Sequence, residues 1–183
     1  MIARRTALAL VAGSAAQPAA AGPDRPVRIV VPVSAGSVPD VVARLLAERL
    51  APRWSVPVVV DNRPGASGAI GVEAALRATP DGHTLLMGSS GPIAILPAMS
   101  RHLSYDPPRD LLPLGRVADF ALVVVAAADA GLRDFAGLLS RTRGAQAPLD
   151  YAGGDVASTQ HMAGALLAEL GGLRLNHVPY RSS

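Results

Sequence analysis

The sequence contains no cysteine, and its 17 basic residues are all arginine because lysine is absent as well. Without cysteine, these 183 residues hold no disulfide framework, no thiolate zinc site and no thiol nucleophile. Without lysine, they hold no phosphate-loop lysine, no Schiff base and no Ser-x-x-Lys catalytic motif. Aromatic side chains make up 3% of the chain and do not alternate with clustered arginines, so nucleic-acid binding is not expected.

Charge is also scarce: 17 basic residues against 14 acidic ones leave a formal net charge of +3, whereas half of the residues are apolar. A chain with low charge and plentiful aliphatic residues can bury a core and is not expected to be disordered. Its length suits one domain or two small ones.

The first residues have the order of a secretory signal peptide. Arg4 and Arg5 are followed by an apolar run over residues 6–16 and by alanines at 19–21, which gives a basic start, an apolar segment and a cleavage site. The run is too short for a helix that crosses the ~30 Å core of a membrane. We therefore predict that residues 1–21 are a signal peptide and that the mature chain is periplasmic. An alanine-rich opening helix is the alternative, and the arginine pair leaves a twin-arginine export signal open.

From residue 25 onward, apolar runs typical of strands alternate with helical patterns. The predicted strands cover residues 27–32, 56–60, 84–87, 121–126, 149–152 and 175–178. The predicted helices cover residues 40–50, 69–77, 135–143 and 158–170, with Pro52 ending the first and Asp134 capping the third. This order predicts an α/β fold with mainly parallel sheets. The irregular, proline-rich residues 92–113 lead from a first lobe, 22–117, into a second, 118–183.

Four turns follow predicted strands, where ligands bind in parallel sheets. They cover residues 34–37, 65–68, 88–91 and 153–158, and all are rich in glycine and serine. Free backbone N–H groups near a helix N-terminus, together with hydroxyls, suit a small anion. The alternative is that glycine and serine serve only to turn the chain.

Enzyme motifs are missing from the same turns. The glycines at 65, 68 and 71 do not have dinucleotide-binding spacing, and Gly88-Ser89-Ser90-Gly91 is one residue short of a nucleophile elbow. The four histidines lack metal-ligand spacing. We therefore expect no catalytic residue, no metal and no cofactor. His161, in the first turn of a predicted helix, is either a ligand contact or a packed or capping histidine.

Six segments resemble the Bug (TctC-type) extracytoplasmic solute receptors, the substrate-binding proteins of tripartite tricarboxylate transporters. The matching segments are residues 23–32, 40–44, 57–66, 80–88, 103–107 and 177–180. The resemblance implies a type II periplasmic binding-protein fold, in which two α/β lobes close on a small carboxylate. It also implies transfer of that carboxylate to membrane permease subunits, and no catalysis.

Two loops depart from the family pattern. Residues 35–40 read Ala-Gly-Ser-Val-Pro-Asp where the family has Pro-Gly-Gly-Ser-Thr-Asp, and Asp155 and Ala157 replace glycines of the second-lobe loop. A carboxylate at Asp155 is expected to disfavour citrate-like polyanions and to favour a monocarboxylate or a zwitterion. Asp40 is expected to act as a helix cap. The residues predicted to contact the ligand are Ser34, Gly36, Ser37, Ser89, Ser90, Ser158, Thr159 and His161.

Chains of that family continue beyond the stretch matching residues 177–180. We therefore expect the second lobe to be incomplete, with exposed edges that favour self-association and weak ligand binding. The rival hypothesis is a truncated, non-transporting remnant or a regulatory fragment that binds no ligand.

Overall fold

The structure is a computed structural model that describes residues 22–180. The predicted signal peptide, residues 1–21, lies outside the described residues. Among the helices of residues 22–180, none has the length and apolar character needed to cross a membrane.

Within residues 22–180, five strands form two parallel sheets. In the first sheet, β1 (Val27–Val31) lies between β2 (Val58–Asn62) and β3 (Thr84–Leu86). In the second sheet, β4 (Leu149–Gly153) pairs with β5 (Leu175–Pro179). Every pairing is parallel, as the alternation of strand and helix patterns predicts.

Helices connect the strands and cover the sheets. They are α1 (Val38–Trp54), α2 (Ala69–Leu76), α3 (Leu96–Met99), α4 (Pro107–Asp110), α5 (Phe135–Arg143) and α6 (Thr159–Gly171). A 3₁₀ turn at Ala66–Gly68 precedes α2, a π-helical turn at Gly91–Ile95 precedes α3, and a second 3₁₀ turn covers Ala128–Ala130.

The core is built on β1, because helices cover both faces of this central strand. On one face, Ile29 and Val31 pack with Ala43 and Ala47 of α1. The second cluster joins Val72 of α2 to residues on neighbouring elements, including Tyr105. Burial on both faces explains the continuous β-branched sequence of β1. Burial of each such side chain contributes about 1.5–3 kcal/mol to the free energy of unfolding.

The first helix is longer than predicted. Pro52 lies inside α1, which ends at Trp54 and is followed by Ser55 in the left-handed conformation (φ 57°). Proline keeps a helical φ and removes only one backbone donor. In the last turn of a helix that loss affects a single hydrogen bond, so Pro52 does not terminate α1.

The prediction of a strand at residues 121–126 is wrong. No strand within residues 22–180 pairs with this segment, and Val123, Val124 and Val125 are 80%, 69% and 82% exposed. An apolar run of this kind is typical of a strand covered on both faces, but a strand also requires a partner. Residues 92–113 are likewise more ordered than predicted, since they contain α3 and α4.

In the second sheet region, local capping signals place both helices as predicted. The Asp134 carboxylate accepts from the Gly137 N–H (2.7 Å) at the start of α5. The Ser158 hydroxyl accepts from the His161 N–H (3.1 Å) at the start of α6. Such caps satisfy donors that the first helical turn otherwise leaves free.

We predict that Gly71→Ala destabilises the protein by about 1–3 kcal/mol, although alanine favours helices, because overpacking costs that much. A β-carbon on Gly71 would lie 2.6 Å from Pro32 Cα and 2.8 Å from the Arg63 carbonyl oxygen. Both are backbone atoms, which cannot rotate away. Urea unfolding measures the change.

The matched control is Gly115→Ala, because a β-carbon at that position meets no atom within 4 Å. This change should be neutral or stabilise by up to about 1 kcal/mol, through the unfolded state. Equal stability of the Gly71 variant and the unchanged protein would contradict the close approach of α2 to Pro32.

Candidate functional site

The turns after β1, β2 and β3 lie at one edge of the first sheet, because parallel strands end on the same side. The turn after β2 packs closely against its neighbours: a β-carbon on Gly68 would lie 2.9 Å from the Pro92 ring and 3.3 Å from the Pro32 carbonyl oxygen. Gly68 also has φ 93°, a conformation that favours glycine. The turns of the first sheet therefore form one packed edge.

The turn after β4 meets the same edge. The Ser67 hydroxyl donates to the Val156 carbonyl at 2.6 Å. A β-carbon on Gly91 would lie 3.2 Å from the Ala157 carbonyl oxygen. Three of the four predicted ligand turns, 65–68, 88–91 and 153–158, thus contact one another, and the fourth, 34–37, follows β1 at this edge.

Four of the eight predicted ligand contacts carry hydroxyls that are available to a ligand. Within residues 22–180, these hydroxyls donate to no group and accept from none. They belong to Ser34, Ser89, Ser90 and Thr159. Each can both donate and accept, so together they offer donors to a carboxylate without adding charge.

The other predicted contacts already make hydrogen bonds within the protein. The Gly36 N–H donates to Asp40 Oδ2 (2.8 Å), and the Ser37 hydroxyl donates to the Ser34 carbonyl (2.7 Å). Ser37 is 5% exposed, and the Ser158 hydroxyl oxygen accepts from the His161 N–H as the α6 cap. The turn after β1 therefore offers fewer free donors than its sequence suggests.

Asp40 organises that turn. Its buried carboxylate accepts from the Gly36 N–H (2.8 Å), Asn62 Nδ2 (2.9 Å) and Arg44 Nε (3.0 Å). Arg44 in turn donates to Asn62 Oδ1 (3.1 Å), and Asn62 donates to the Val33 carbonyl (3.2 Å). Hydrogen bonding by Arg44, above all, lowers the pKa of Asp40 to about 2. The carboxylate is therefore ionised at neutral pH and ties the first turn to the end of β2.

Sequence reasoning identified Asp40 only as a cap. In the structure the capping box is not formed: the Asp40 carboxylate accepts from Gly36 N–H, one residue before the Ser37 N-cap, and the Ser37 hydroxyl makes no cap hydrogen bond. The i,i+4 spacing of Asp40 and Arg44 carried a signal for their ion pair. Nothing in the sequence pointed to Asn62, because its partners lie 18, 22 and 29 residues away.

His161 lies in an aromatic cluster behind the turn after β4. Its ring centroid is 4.4 Å from that of His177, which is 5.2 Å from Tyr151. The Tyr151 hydroxyl donates to the His161 carbonyl (3.2 Å). Burial, and secondarily His177, lower the pKa of His161. Within residues 22–180, His161 Nδ1 is buried without a hydrogen-bond partner, so the ring packs as a neutral group.

A polar depression lies at the opposite edge of the first sheet, at the amino ends of β1 and β3. Its lining residues include Arg25, Arg28, Asp81, His83 and Thr84. The guanidinium groups there are paired with carboxylates, Arg25 with Asp81 and Arg28 with Asp61. This depression is separate from the packed turns. Residues 22–180 contain no group of three or more side chains placed to hold a metal ion.

Comparison with known proteins identifies the family. The sequence profile described as "Tripartite tricarboxylate transporter family receptor" (TctC) matches residues 42–183. The chain belongs to this receptor family. TctC proteins are periplasmic solute-binding receptors rather than enzymes, so the resemblance found in the sequence is confirmed.

Two curated relatives illustrate the match. The chain is 36% identical over 178 residues to the "UPF0065 protein in tcbD-tcbE intergenic region" of Pseudomonas sp. (strain P51), covering 97% of this chain and 53% of the relative. It is 34% identical over 162 residues to BugT of Bordetella pertussis, covering 88% and 50%. The chain thus spans about half the length of the curated relatives it matches.

Solved TctC-type structures share the fold. A periplasmic transporter structure is 33% identical, covers 88% of this chain and 54% of its own, and has a TM-score of 0.82. MatC of Rhodopseudomonas palustris with bound malate is 28% identical, with coverage of 87% and 54% and a TM-score of 0.78. An R. palustris protein with adipate is 30% identical, with the same coverage and a TM-score of 0.73. The predicted periplasmic binding-protein fold is confirmed.

Acid unfolding tests the Asp40 network in this TctC chain. We expect Asp40→Asn to lower the free energy of unfolding by about 2 kcal/mol at pH 7, the linkage value of a pKa held near 2 rather than 3.8. Because the folded pKa is depressed, this contribution is complete above about pH 4 and is lost as pH falls toward 2. The variant and the unchanged protein should converge there.

The control for Asp40 is Asp119→Asn. Asp119 is an exposed carboxylate, 3.5 Å from Arg116, and exposed pairs contribute about 0–1 kcal/mol. Urea unfolding at several pH values measures both variants. A deficit of the Asp40 variant that persists unchanged at pH 2 would contradict the assignment.

The histidine pair gives a second pH dependence. Because the folded pKa of His161 lies below the ordinary 6.5, the unfolded chain binds more protons, and stability falls as pH drops below 6.5. We expect a lower melting temperature at pH 5.5 than at pH 7.5, with a smaller difference in His161→Gln. His102→Gln, at an exposed position, should behave like the unchanged protein. Identical pH slopes in both variants would refute the role of His161.

Proposed function

We propose that this chain binds a small carboxylate at the packed edge of turns, through hydroxyls and backbone N–H groups. The observation that carries the proposal is the set of hydroxyls at Ser34, Ser89, Ser90 and Thr159, which have no partner within residues 22–180. Three of the four predicted ligand turns, 65–68, 88–91 and 153–158, contact one another.

The packed edge suits an anion that is bound by hydroxyls and backbone N–H groups rather than by a cationic side chain. Arg44, the cation beside the first turn, is committed to Asp40 at 3.0 Å. Thr159 is the first residue of α6, where unpaired N–H groups and the helix dipole favour negative charge. Bound malate in MatC and adipate in the R. palustris protein are both carboxylates. This agreement supports the ligand class.

Asp155 restricts the range of carboxylates that the proposed site would bind. A carboxylate at ~6 Å from a ligand carboxylate, at an effective dielectric constant of ~20, costs roughly 3 kcal/mol per charge pair. That penalty corresponds to about a hundredfold in affinity and grows with each further ligand charge. We therefore propose a monocarboxylate or a zwitterion whose ammonium group meets Asp155, in preference to a citrate-like polyanion.

In the proposed role, the signal peptide directs export of the chain. The receptor then delivers its ligand to the membrane permease subunits of a tripartite tricarboxylate transporter. Self-association is a further proposal, supported by the exposed valines 123–125 because apolar patches of this kind favour contact between copies. The competing role, a remnant or regulatory fragment without ligand, makes the opposite prediction for the experiment that follows.

The experiment is a titration of ¹⁵N-labelled chain with lactate, alanine, malate and citrate, followed by amide chemical shifts. We expect shifts in the turns that carry Ser34, Ser89 and Thr159, with an affinity no tighter than about millimolar. Lactate or alanine should bind more tightly than citrate, and Asp155→Gly should reduce that preference. Light scattering on the same samples reports self-association.

Matched variants locate the site. Thr159→Val keeps the side-chain shape, removes a hydroxyl and should weaken binding about fivefold, the effect of roughly 1 kcal/mol. Thr84→Val makes the same change in the depression at the opposite edge and should have no effect. Shifts confined to the Thr84 edge, or none with any of the four probes, would refute the proposal, and the second result would favour the fragment without ligand.

A further inference from the structure

The turn between β2 and α2 has an unusual backbone. Four successive residues have positive φ: Gly65 (120°), Ala66 (48°), Ser67 (54°) and Gly68 (93°). Glycine adopts this region freely, whereas residues with a β-carbon rarely do. Strained residues of this kind persist when the surrounding structure holds them, and they cluster at functional positions.

The Ser67 hydroxyl reaches across the molecule. It donates to the Val156 carbonyl at 2.6 Å, between residues 89 positions apart. Within the described chain, this is the only hydrogen bond that joins residues 22–110 to residues 128–180, and no ion pair joins them. The left-handed backbone of Ser67 thus accompanies the one polar link between the two sheets.

The acceptor lies in a second strained turn. Ser158 N–H donates to the Asp155 carbonyl (2.9 Å), closing a tight turn in which Ala157 has φ 68°. Ala157 is 1% exposed, and its carbonyl oxygen faces Gly91. The next residue, Thr159, begins α6. A bond to Val156 therefore fixes the start of α6, and with it Thr159, relative to the first sheet.

We propose that Ser67 is a positioning residue: its hydroxyl bond to Val156 holds the turn after β4, and with it Thr159, in register with the serines of the first sheet. The role in ligand capture rests on the proposed function, whereas the link between the sheets does not. One solvent-accessible hydrogen bond is weak enough to break and re-form, which suits a joint that opens to admit a ligand and closes around it.

The absence of cysteine from the sequence allows a direct measurement. Spin labels are placed on Glu48→Cys in α1 and Glu169→Cys in α6, both exposed positions, and pulsed electron resonance gives the distance distribution between them. We expect Ser67→Ala, which removes the hydroxyl and keeps the β-carbon, to broaden that distribution.

Two glycine variants separate the hydroxyl from the backbone strain. Ser67→Gly removes both and should broaden the distribution as much as Ser67→Ala while melting at a higher temperature than Ser67→Ala. Ala66→Gly relieves the same kind of strain and keeps the hydroxyl, so it should keep the narrow distribution. A narrow distribution in Ser67→Ala, or equal broadening in Ala66→Gly, would overturn the positioning role.

Binding supplies the second measurement. Amide-shift titration with lactate should show about fivefold weaker affinity in Ser67→Ala, the effect expected from one hydrogen bond, and unchanged affinity in Gly115→Ala, which lies outside the turns. Unchanged affinity in Ser67→Ala despite a broadened distribution would refute the role in ligand capture. If the unchanged protein binds none of the four probes, the proposed function fails, and the distance measurement still decides the role of Ser67 as the link.

Discussion

Burial of β1 on both faces is the constraint on which the rest of the structure depends. Val27, Ile29, Val30 and Val31 are at most 1% exposed, and this requires a helix on each face of the strand. Parallel pairing with β2 and β3 supplies those helices, since each crossover places one against the sheet. The same pairing brings the carboxyl ends of three strands, and their turns, to one edge. The candidate site is thus a direct consequence of how the central strand is covered.

The chemistry of this edge is set by which donors the fold itself uses. Asp40 takes the Gly36 N–H, Asn62 and Arg44, so a buried negative charge already occupies the start of α1. An incoming anion therefore meets neutral hydroxyls more than fixed cations. A site of that kind discriminates by the placement of hydrogen bonds, because it has little electrostatic attraction to offer every anion alike. This property agrees with the proposed role, a receptor that selects among small carboxylates.

Where the signals were local, the sequence predicted the structure closely. The caps Asp134 and Ser158 fix the starts of α5 and α6 within a few residues of their own side chains, so their predicted bounds agree with the structure to within a residue. The β-branched run of β1 predicted a strand for the same reason. Residues 121–126 have an equally apolar pattern, but a strand there needs a pairing partner, which the pattern alone cannot supply.

The candidate site also has features that local sequence predicts and features that depend on distant residues. Glycine and serine after strands predicted the turns, and their hydroxyls could be named from the residue types alone. Which donors stay free could not be predicted, since that depends on partners far along the chain, such as Asn62 for Asp40 and Val156 for Ser67. Local sequence therefore predicts where the turns lie, and long-range contacts determine which of their hydrogen-bond donors stay free for a ligand.

The hydrogen bond from Ser67 to Val156, the one that links the two sheets in the described part of the chain, also has a consequence for folding. Leu149 and Leu175 pair across 26 residues, and Val27 and Val58 across 31, whereas Ser67 and Val156 are 89 residues apart. Closing the longer loop costs more chain entropy for one weak bond. We therefore expect each sheet to assemble from its own short-range contacts and the link to form last, so that loss of the link changes the rate of unfolding more than the rate of folding.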